Sequence, residues 1–173
     1  MAYDFSNVSV LIVDDNRFMT ELIKSLLQTF GIRRIFTAND PDKGFRIFCE
    51  ERPDLIISDW VMEGGTGLDL SRKVREDSIS PNPYAPIILV TGYAEEKRVI
   101  EARDKGITEF LVKPFKANDL YTRIEQIIEK PRRFVKCIDY FGPDRRRKKK
   151  DEFSGPFRRD DDHDVFEIDI NTD

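Results

Sequence analysis

Apolar residues follow two alternating patterns along the first 130 residues of this chain of 173. Short apolar runs are typical of strands buried on both faces, and each run is followed by a segment with apolar residues at helical spacing. The predicted strands are residues 8–13, 33–38, 55–58, 87–90 and 110–112. The predicted helices are residues 18–30, 41–52, 68–75, 95–105 and 118–128.

The alternation of five strands with five helices predicts the fold class. A parallel crossover needs an intervening helix, so the strands are expected to form one parallel sheet with helices on both faces. Gly31 and Gly106 follow the first and fourth helices, Asn39-Asp40-Pro41 opens the second, and Pro53 ends it. We therefore predict an α/β fold with three layers and an open, doubly wound sheet of five strands.

Four of the predicted strands stop on residues that suit phosphate chemistry. Asp14 and Asp15 follow the first strand, Asp59 the third, Thr91 the fourth and Lys113 the fifth. The carboxyl ends of parallel strands share one edge, where open α/β sheets bind ligands. Three carboxylates there would repel one another unless a cation lies between them, and Mg²⁺ is commonly held by one or two carboxylates plus phosphate oxygens. The pattern predicts a site for Mg²⁺ and a phosphoryl group.

Asp59 is the best placed of the three carboxylates to act as a nucleophile and form an acyl phosphate. Thr91 and Lys113 could then neutralise charge on the phosphoryl oxygens. The alternative is that Asp14 and Asp15 only cap the N-terminus of the following helix. The presence of Asp59, Thr91 and Lys113 at the ends of the other strands disfavours this alternative. The glycines at 64, 65 and 67 lack the Gly-Lys-Ser/Thr ending of a nucleotide-binding loop, so we expect a flexible loop at the site.

Composition and charge limit the kind of protein. A hydrophobic content of 39% is enough for one domain with a core, and a net charge of −4 gives no general attraction to nucleic acid or anionic membranes. No apolar stretch approaches the roughly 20 residues of a membrane helix, so we expect a soluble, cytoplasmic protein with no membrane partner. Cys49 and Cys137 lack the spacing of a disulfide framework or zinc site.

The composition changes at residue 131, which predicts a domain over residues 1–130 and a charged, weakly ordered tail over 131–173. Within the tail, Gly-Pro-x-Arg-Arg occurs at 142–146 and again at 155–159. A basic run at 145–150 precedes an acidic run at 160–164, and such blocks are typical of disordered interaction segments. His163 in the acidic run could bind a metal, although a lone histidine there is more often only solvated.

The strand ends together resemble the receiver domain of bacterial two-component response regulators. The matching motifs are Val-Leu-Ile-Val-Asp-Asp-Asn at 10–16, Leu-Ile-Ile-Ser-Asp-Trp-Val-Met at 55–62, Ile-Leu-Val-Thr-Gly at 88–92 and Phe-Leu-Val-Lys-Pro-Phe at 110–115. Each motif alone is weak, but four in this order form a specific signature that covers about residues 7–130. The resemblance implies the flavodoxin-like receiver fold.

The resemblance also implies roles for the site residues. Asp59 would accept a phosphoryl group from the phosphohistidine of a sensor histidine kinase or a histidine phosphotransfer protein. Asp14, Asp15 and Asp59, with the backbone carbonyl of Val61, would bind Mg²⁺. Two further residues, Thr91 and Lys113, would bind phosphoryl oxygens, and the Lys113-Pro114 peptide bond is expected to be cis.

Signalling in the resembled family implies a switch formed by Thr91 and Phe110, although Phe110 lacks the hydroxyl of a tyrosine. A downstream protein would bind the face formed by the fourth helix, fifth strand and fifth helix. The candidate contacts on that face are Ile100, Arg103, Lys105 and Tyr121. Glu63 departs from the family pattern, which commonly has proline at this position. Val61 and Tyr93 stand at positions where bulky groups are expected to slow dephosphorylation.

Two classes of function remain open from the sequence. The first is a response regulator that is a signalling switch rather than a conventional enzyme, acts through protein contacts, and is a monomer or a phosphorylation-dependent dimer. The second is a scaffold or adaptor that acts through the charged tail. Nucleic-acid binding by the basic run is the less favoured option, because the tail contains no helix-turn-helix pattern.

Overall fold

The computed structural model describes residues 3–92, 96–144 and 166–168, with the backbone alone described at 96–98 and 166–168. Each predicted strand and helix is present, and the observed ends differ from the predicted ones by a residue at most. The elements in chain order are β1 (Ser9–Val13), α1 (Arg17–Thr29), β2 (Arg34–Ala38), α2 (Pro41–Glu51), β3 (Leu55–Asp59), β4 (Val61–Met62), β5 (Gly65–Thr66), α3 (Gly67–Glu76), β6 (Ile87–Thr91), α4 (Glu96–Asp104), β7 (Glu109–Val112), α5 (Ala117–Glu129), β8 (Phe134–Cys137), β9 (Tyr140–Pro143) and β10 (Phe166–Ile168).

The central sheet is parallel, with strand order β2-β1-β3-β6-β7. This is the flavodoxin-like order of a doubly wound sheet, whose ligand site lies where the strand order reverses, between β1 and β3. Asp14 follows β1 and Asp59 ends β3, so two of the predicted site residues lie at that point. The predicted fold class is confirmed.

Two apolar layers cover the faces of this sheet. Along β1, Val10 and Ile12 pack into the layer of α1 and α5, while Leu11 and Val13 pack into the layer of α2, α3 and α4. This alternation is the period of two expected for a strand that is buried on both sides. The helices contribute residues that are buried in the two layers: Ile23, Leu27, Leu120 and Ile124 in one, and Phe48, Leu70, Val74 and Ala102 in the other.

Local capping fixes where the helices near the site begin. The Asn16 side chain accepts hydrogen bonds from the backbone N–H groups of Phe18 and Met19 at the start of α1. At the start of α3, Thr66 and Asp69 form a reciprocal capping box. These caps set the direction in which the chain leaves β1 and the β4-β5 ribbon, and they thereby position the loops around the carboxyl edge of the sheet.

Residues 131–144, called here the C-terminal arm, differ from the prediction of a weakly ordered tail beginning at 131. Strands β8 and β9 form an antiparallel hairpin, and β10 pairs with the other edge of β8. Phe134, Val135 and Tyr140 are buried, and the ring of Tyr84 lies 5.2 Å from that of Phe134. The aromatic residues of the arm are therefore part of a second, small core rather than of a solvated segment.

Arg75 of α3 anchors the arm to the sheet. Its guanidinium donates hydrogen bonds to the carbonyl oxygens of Pro83, Ala85 and Gly106, and it lies 5.0 Å from the centre of the Phe134 ring. Those carbonyls precede β6 and β7, so the arm covers the amino-terminal pole of the sheet. The basic run, the second Gly-Pro-x-Arg-Arg copy, the acidic run and His163 lie outside the described residues.

Candidate functional site

Three carboxylates converge at the carboxyl edge of the sheet. One oxygen from each of Asp14, Asp15 and Asp59 lies within 4.8 Å of the others. Strands β1 and β3 are neighbours, with Val13 paired to Ser58, so the residues that follow each strand are brought side by side. Oxygens at this spacing could bind a single cation.

Asp14 is the most buried member of the cluster, with 3% of its surface exposed. Its Oδ1 accepts a hydrogen bond of 2.8 Å from the Asn16 backbone N–H, whereas its Oδ2 is buried with no hydrogen-bond partner among the described residues. Burial raises the pKa of this carboxyl above its usual range, and the negative charge of Asp59 raises it further. The charge of Lys113 opposes this effect only in part, and Oδ2 is left without a hydrogen bond that would offset its burial.

Asp15 is exposed and connects two loops of the site. Its Oδ2 accepts a hydrogen bond of 2.8 Å from the backbone N–H of Glu63, which lies between β4 and β5. A proline at position 63 could not donate this bond because proline has no N–H. Val61, whose carbonyl the sequence resemblance assigns to the metal, is in β4 two residues after Asp59, and its side chain is 56% exposed.

Lys113 forms an ion pair with Asp59. Its Nζ donates a hydrogen bond of 2.8 Å to Asp59 Oδ1, and the two side chains are 27% and 14% exposed, respectively. The Lys113 backbone N–H also donates to the Thr91 carbonyl at 2.7 Å, and the Lys113-Pro114 peptide bond is cis. Thr91 ends β6 and is 1% exposed. A carboxylate, an ammonium and the strand end that carries a hydroxyl therefore meet beside the acidic cluster.

The donor set fits a hard divalent cation. All the ligand atoms offered by Asp14, Asp15 and Asp59 are oxygens, which suits Mg²⁺ rather than a thiolate- or imidazole-binding metal. The unpartnered Asp14 Oδ2 supports the same conclusion, because a cation would supply the charge that this buried oxygen lacks. The residues present therefore fit the metal that the sequence pattern predicts.

The glycines after Asp59, where the sequence predicts a flexible loop, lie in the turn between β4 and β5 and at the start of α3. Gly64 and Gly65 have positive φ angles of 89° and 153° and form the turn between β4 and β5. Gly67 begins α3, and a Cβ at this position would lie 2.4 Å from the Asp59 carbonyl oxygen and 2.5 Å from Leu89 Cδ1. The sequence gives no signal of this close approach, which places the start of α3 directly against the strand that ends on Asp59.

A family model for the response regulator receiver domain matches residues 10–125. The chain belongs to this family. It is 36% identical over 123 residues to the chemotaxis protein CheY of Pseudomonas aeruginosa, a match that covers 71% of this chain and 98% of that protein. It is 31% identical over 124 residues to CheY-3 of Vibrio cholerae, covering 72% of this chain and 94% of that protein.

A solved receiver structure matches the same part of the chain. The chemotaxis response regulator CheY4 of Vibrio cholerae superimposes with a TM-score of 0.64 and 29% identity, covering 69% of this chain and 98% of that structure. The family match ends at residue 125, so the C-terminal arm is an addition beyond the receiver domain of this response regulator.

The residues expected to transmit the signal lie close to the receiver site. Phe110 is half-buried in β7, opposite Leu89 of β6, and its carbonyl accepts a hydrogen bond of 3.1 Å from Arg123 Nε in α5. Two positions further along the same pair of strands, Val112 lies opposite Thr91. Tyr93, the other residue expected to set the rate of dephosphorylation, lies outside the described residues.

The expected output face is only partly as the sequence indicated. Ile100 is 45% exposed, Arg103 is half-buried and Lys105 is exposed, so these residues remain available at the surface of α4 and the turn after it. Tyr121 is not on this face: its ring packs at 5.4 Å from Phe5, and its hydroxyl accepts the backbone N–H of Tyr3. It belongs to the layer of α1 and α5 because of its position around the helix.

An apolar patch that the sequence pattern assigned to the core lies beside the site. Phe18 and Leu22, four residues apart on α1, are 90% and 48% exposed, whereas Ile23 and Leu27 form the buried face of the helix.

Both cysteines are free thiols. Among the described helices, none combines the length and the apolar character required to cross a bilayer.

Proposed function

We propose that this receiver domain is a phosphorylation switch in which Asp59 accepts a phosphoryl group from the phosphohistidine of a sensor histidine kinase or a histidine phosphotransfer protein. The observation that carries the proposal is the position of the Asp59 carboxylate, which is bonded to Lys113 and lies within 4.8 Å of Asp14 and Asp15. This arrangement places a nucleophilic oxygen between an ammonium group and a site that suits a divalent cation.

The reaction follows from these groups. A carboxylate oxygen of Asp59 attacks phosphorus, the phosphorus–nitrogen bond to the donor histidine breaks, and the departing imidazole nitrogen takes up a proton. Lys113 shifts its ammonium group from the Asp59 carboxylate to a phosphoryl oxygen, and the Thr91 hydroxyl donates to another. Attack of water on phosphorus later releases inorganic phosphate and restores the Asp59 carboxylate.

Mg²⁺ is the cofactor that we assign to the acidic cluster, with Asp14, Asp15, Asp59 and the Val61 carbonyl as ligands. When bound, it supplies positive charge that offsets the repulsion between carboxylates and phosphoryl oxygens. The unpartnered oxygen of Asp14 supports the assignment. Asp15 is held toward the site by the Glu63 N–H, so this part of the ligand set is oriented by the β4-β5 ribbon.

The phosphoryl donor would dock on the apolar patch formed by Phe18, Leu22 and Val61. All three side chains are at least 48% exposed, and they flank the loops that carry Asp15 and Asp59. An exposed apolar rim around a charged site is typical of a transient protein interface. The output partner would use the face of α4, β7 and α5, where Ile100 and Val112 are 45% and 40% exposed.

The proposal is tested by incubating the full chain with acetyl phosphate and Mg²⁺ and measuring its intact mass. We expect the mass to increase by one phosphoryl group, and the increase to be lost with a metal chelator or in Asp59→Asn. Asp42→Asn is the matched control, since Asp42 is an exposed aspartate that pairs with Lys73 and is not one of the three clustered carboxylates. Equal labelling of Asp59→Asn and the wild type would rule out Asp59 as the acceptor.

The alternative of a scaffold that acts through the charged tail concerns residues outside the described part of the chain. The intact set of Asp14, Asp15, Asp59, Thr91 and Lys113 favours the switch, because a scaffold has no chemical requirement for all five.

A further inference from the structure

The three carboxylates of the acidic cluster differ in what holds them in place. Asp14 is 3% exposed and the Asp59 side chain is 14% exposed, so packing limits the directions that these two groups can take. Asp15 is exposed, and among the described residues its carboxylate has one hydrogen-bond partner, the Glu63 backbone N–H at 2.8 Å. An exposed aspartate has several rotamers open to it. The orientation of Asp15 toward the other two carboxylates therefore depends on this single bond.

Glu63 donates this bond from a tight turn. Met62 pairs with Gly65, so Glu63 and Gly64 are the two central residues of the turn. Gly64 has a φ of 89°, whereas Glu63 is not among the residues with a positive φ, which is the pattern of a type II turn. The hydrogen bond of such a turn joins the residues on either side of the central pair. The turn therefore does not use the N–H of Glu63, which is available to Asp15.

The β4-β5 ribbon that carries Glu63 is fixed at its base. The N–H and the hydroxyl of Thr66 donate hydrogen bonds of 3.0 and 2.8 Å to Asp69 Oδ2, and the Gly67 N–H donates to the Trp60 carbonyl at 2.8 Å. A ribbon held in this way presents the Glu63 N–H in a defined place. Donors that orient a metal ligand from outside the coordination shell typically change metal affinity by about 10- to 100-fold.

We propose that Glu63 is a positioning residue for the cation site, and that its backbone N–H, not its carboxylate, holds Asp15 in the orientation that binds Mg²⁺. The proposal rests on the proposed function, which assigns Mg²⁺ to the acidic cluster. It adds that the metal affinity depends on the residue type at position 63 through one backbone donor. Every residue except proline can supply that donor.

Two substitutions at position 63 separate the backbone donor from the side chain. Proline is common at the first central position of a type II turn, and Met62, in β4, already has the extended conformation that a following proline requires. Glu63→Pro is therefore expected to keep the ribbon and to remove the N–H together with the carboxylate. Glu63→Ala is the matched control, because it removes the same carboxylate and keeps the N–H.

Mg²⁺ titration of the ¹⁵N-labelled full chain, followed by the NMR shifts of the Asp15 and Trp60 amides, measures the dissociation constant without any phosphoryl donor. We expect Mg²⁺ to bind Glu63→Pro about tenfold more weakly than Glu63→Ala, and Glu63→Ala to stay within about threefold of the wild type. Equal affinities in the two variants would overturn the proposal. An amide shift that does not saturate in the wild type would instead contradict the Mg²⁺ assignment, and this proposal with it.

A double-mutant cycle tests whether the N–H acts through Asp15. The same titration is made with Asp15→Ala, alone and combined with Glu63→Pro. Without the Asp15 carboxylate the N–H has nothing to orient, so we expect the proline to change the remaining affinity by less than about twofold. A proline effect of the same size with and without Asp15 would mean that the substitution acts through the shape of the ribbon, and it would overturn the proposal while leaving the Mg²⁺ assignment intact.

Discussion

Burial of Asp14 disfavours the negative charge that its carboxylate carries when it is ionised. The carboxyl is 3% exposed, one of its oxygens has no partner among the described residues, and two further carboxylates lie within 4.8 Å. The proposed Mg²⁺ site requires this charge, so we expect the domain to give up stability for function at this residue.

We predict that Asp14→Asn stabilises the metal-free protein by about 1 kcal/mol, because the substitution removes charge repulsion in a buried position. Urea denaturation in the presence of a chelator measures the change. Mg²⁺ should stabilise the wild type more than the variant, and Asp139→Asn, on the exposed turn of the hairpin, serves as the control. A variant that is less stable than the wild type without metal would contradict this account of Asp14.

Glycine is required at position 67 because there is no room for a Cβ, and not because of its backbone conformation. We predict that Gly67→Ala destabilises the domain by about 1–3 kcal/mol, because the added methyl group would overlap the Asp59 carbonyl and Leu89. Gly92→Ala is the matched control, since no atom lies within 4 Å of a Cβ built there. Thermal unfolding of the two variants should separate them clearly, and equal losses of stability would show that close packing at position 67 is not the cause.

At the scale of elements, the C-terminal arm depends on one buried charge. Burial lowers the pKa of Arg75 to about 9, so its guanidinium is still charged at neutral pH. The carbonyl groups of Pro83, Ala85 and Gly106 accept its N–H groups, and the Phe134 ring covers it. The Arg75 side chain donates hydrogen bonds to carbonyl groups that precede the amino ends of β6 and β7, and the hairpin packs against it.

We predict that Arg75→Met lowers the free energy of unfolding by about 3 kcal/mol, because two buried carbonyls and one partly buried carbonyl lose their donors at once. Arg72→Met on the same helix should change it by less than about 1 kcal/mol, since the pair between Arg72 and Asp69 is exposed. Denaturant titrations followed by circular dichroism measure both. A loss in Arg75→Met no larger than in Arg72→Met would mean that the arm does not depend on this contact.

Local signals explain why the receiver elements could be predicted and the arm could not. Each βα unit has its own apolar run, helical spacing and cap residues, such as Asn16 and Thr66, and these act over a few residues of sequence. The arm has apolar residues as well, but Phe134 is buried because Tyr84 and Arg75, distant in sequence, provide its partners. Helical spacing likewise identified α1 but not that Phe18 is 90% exposed.

At the scale of the whole molecule, the site and the arm lie at opposite poles of one sheet. The acidic residues follow the carboxyl ends of β1 and β3, whereas Arg75 holds the arm against the residues that precede β6 and β7. The candidate site could be predicted because parallel strands bring their ends together whatever the lengths of the connections. No such rule predicts the C-terminal arm at the amino-terminal pole of the sheet, because the contacts of the arm depend on side chains in loops.

We expect Asp59 to become phosphorylated in a reaction that needs a divalent cation. The most direct measurement is reduction of the acetyl phosphate-treated protein with borohydride, which converts a phosphorylated aspartate to homoserine, followed by peptide mass mapping. We expect homoserine at position 59 with Mg²⁺ and none with a chelator. Homoserine at Asp14 or Asp15 instead, or an unmodified Asp59 in the presence of Mg²⁺, would contradict it.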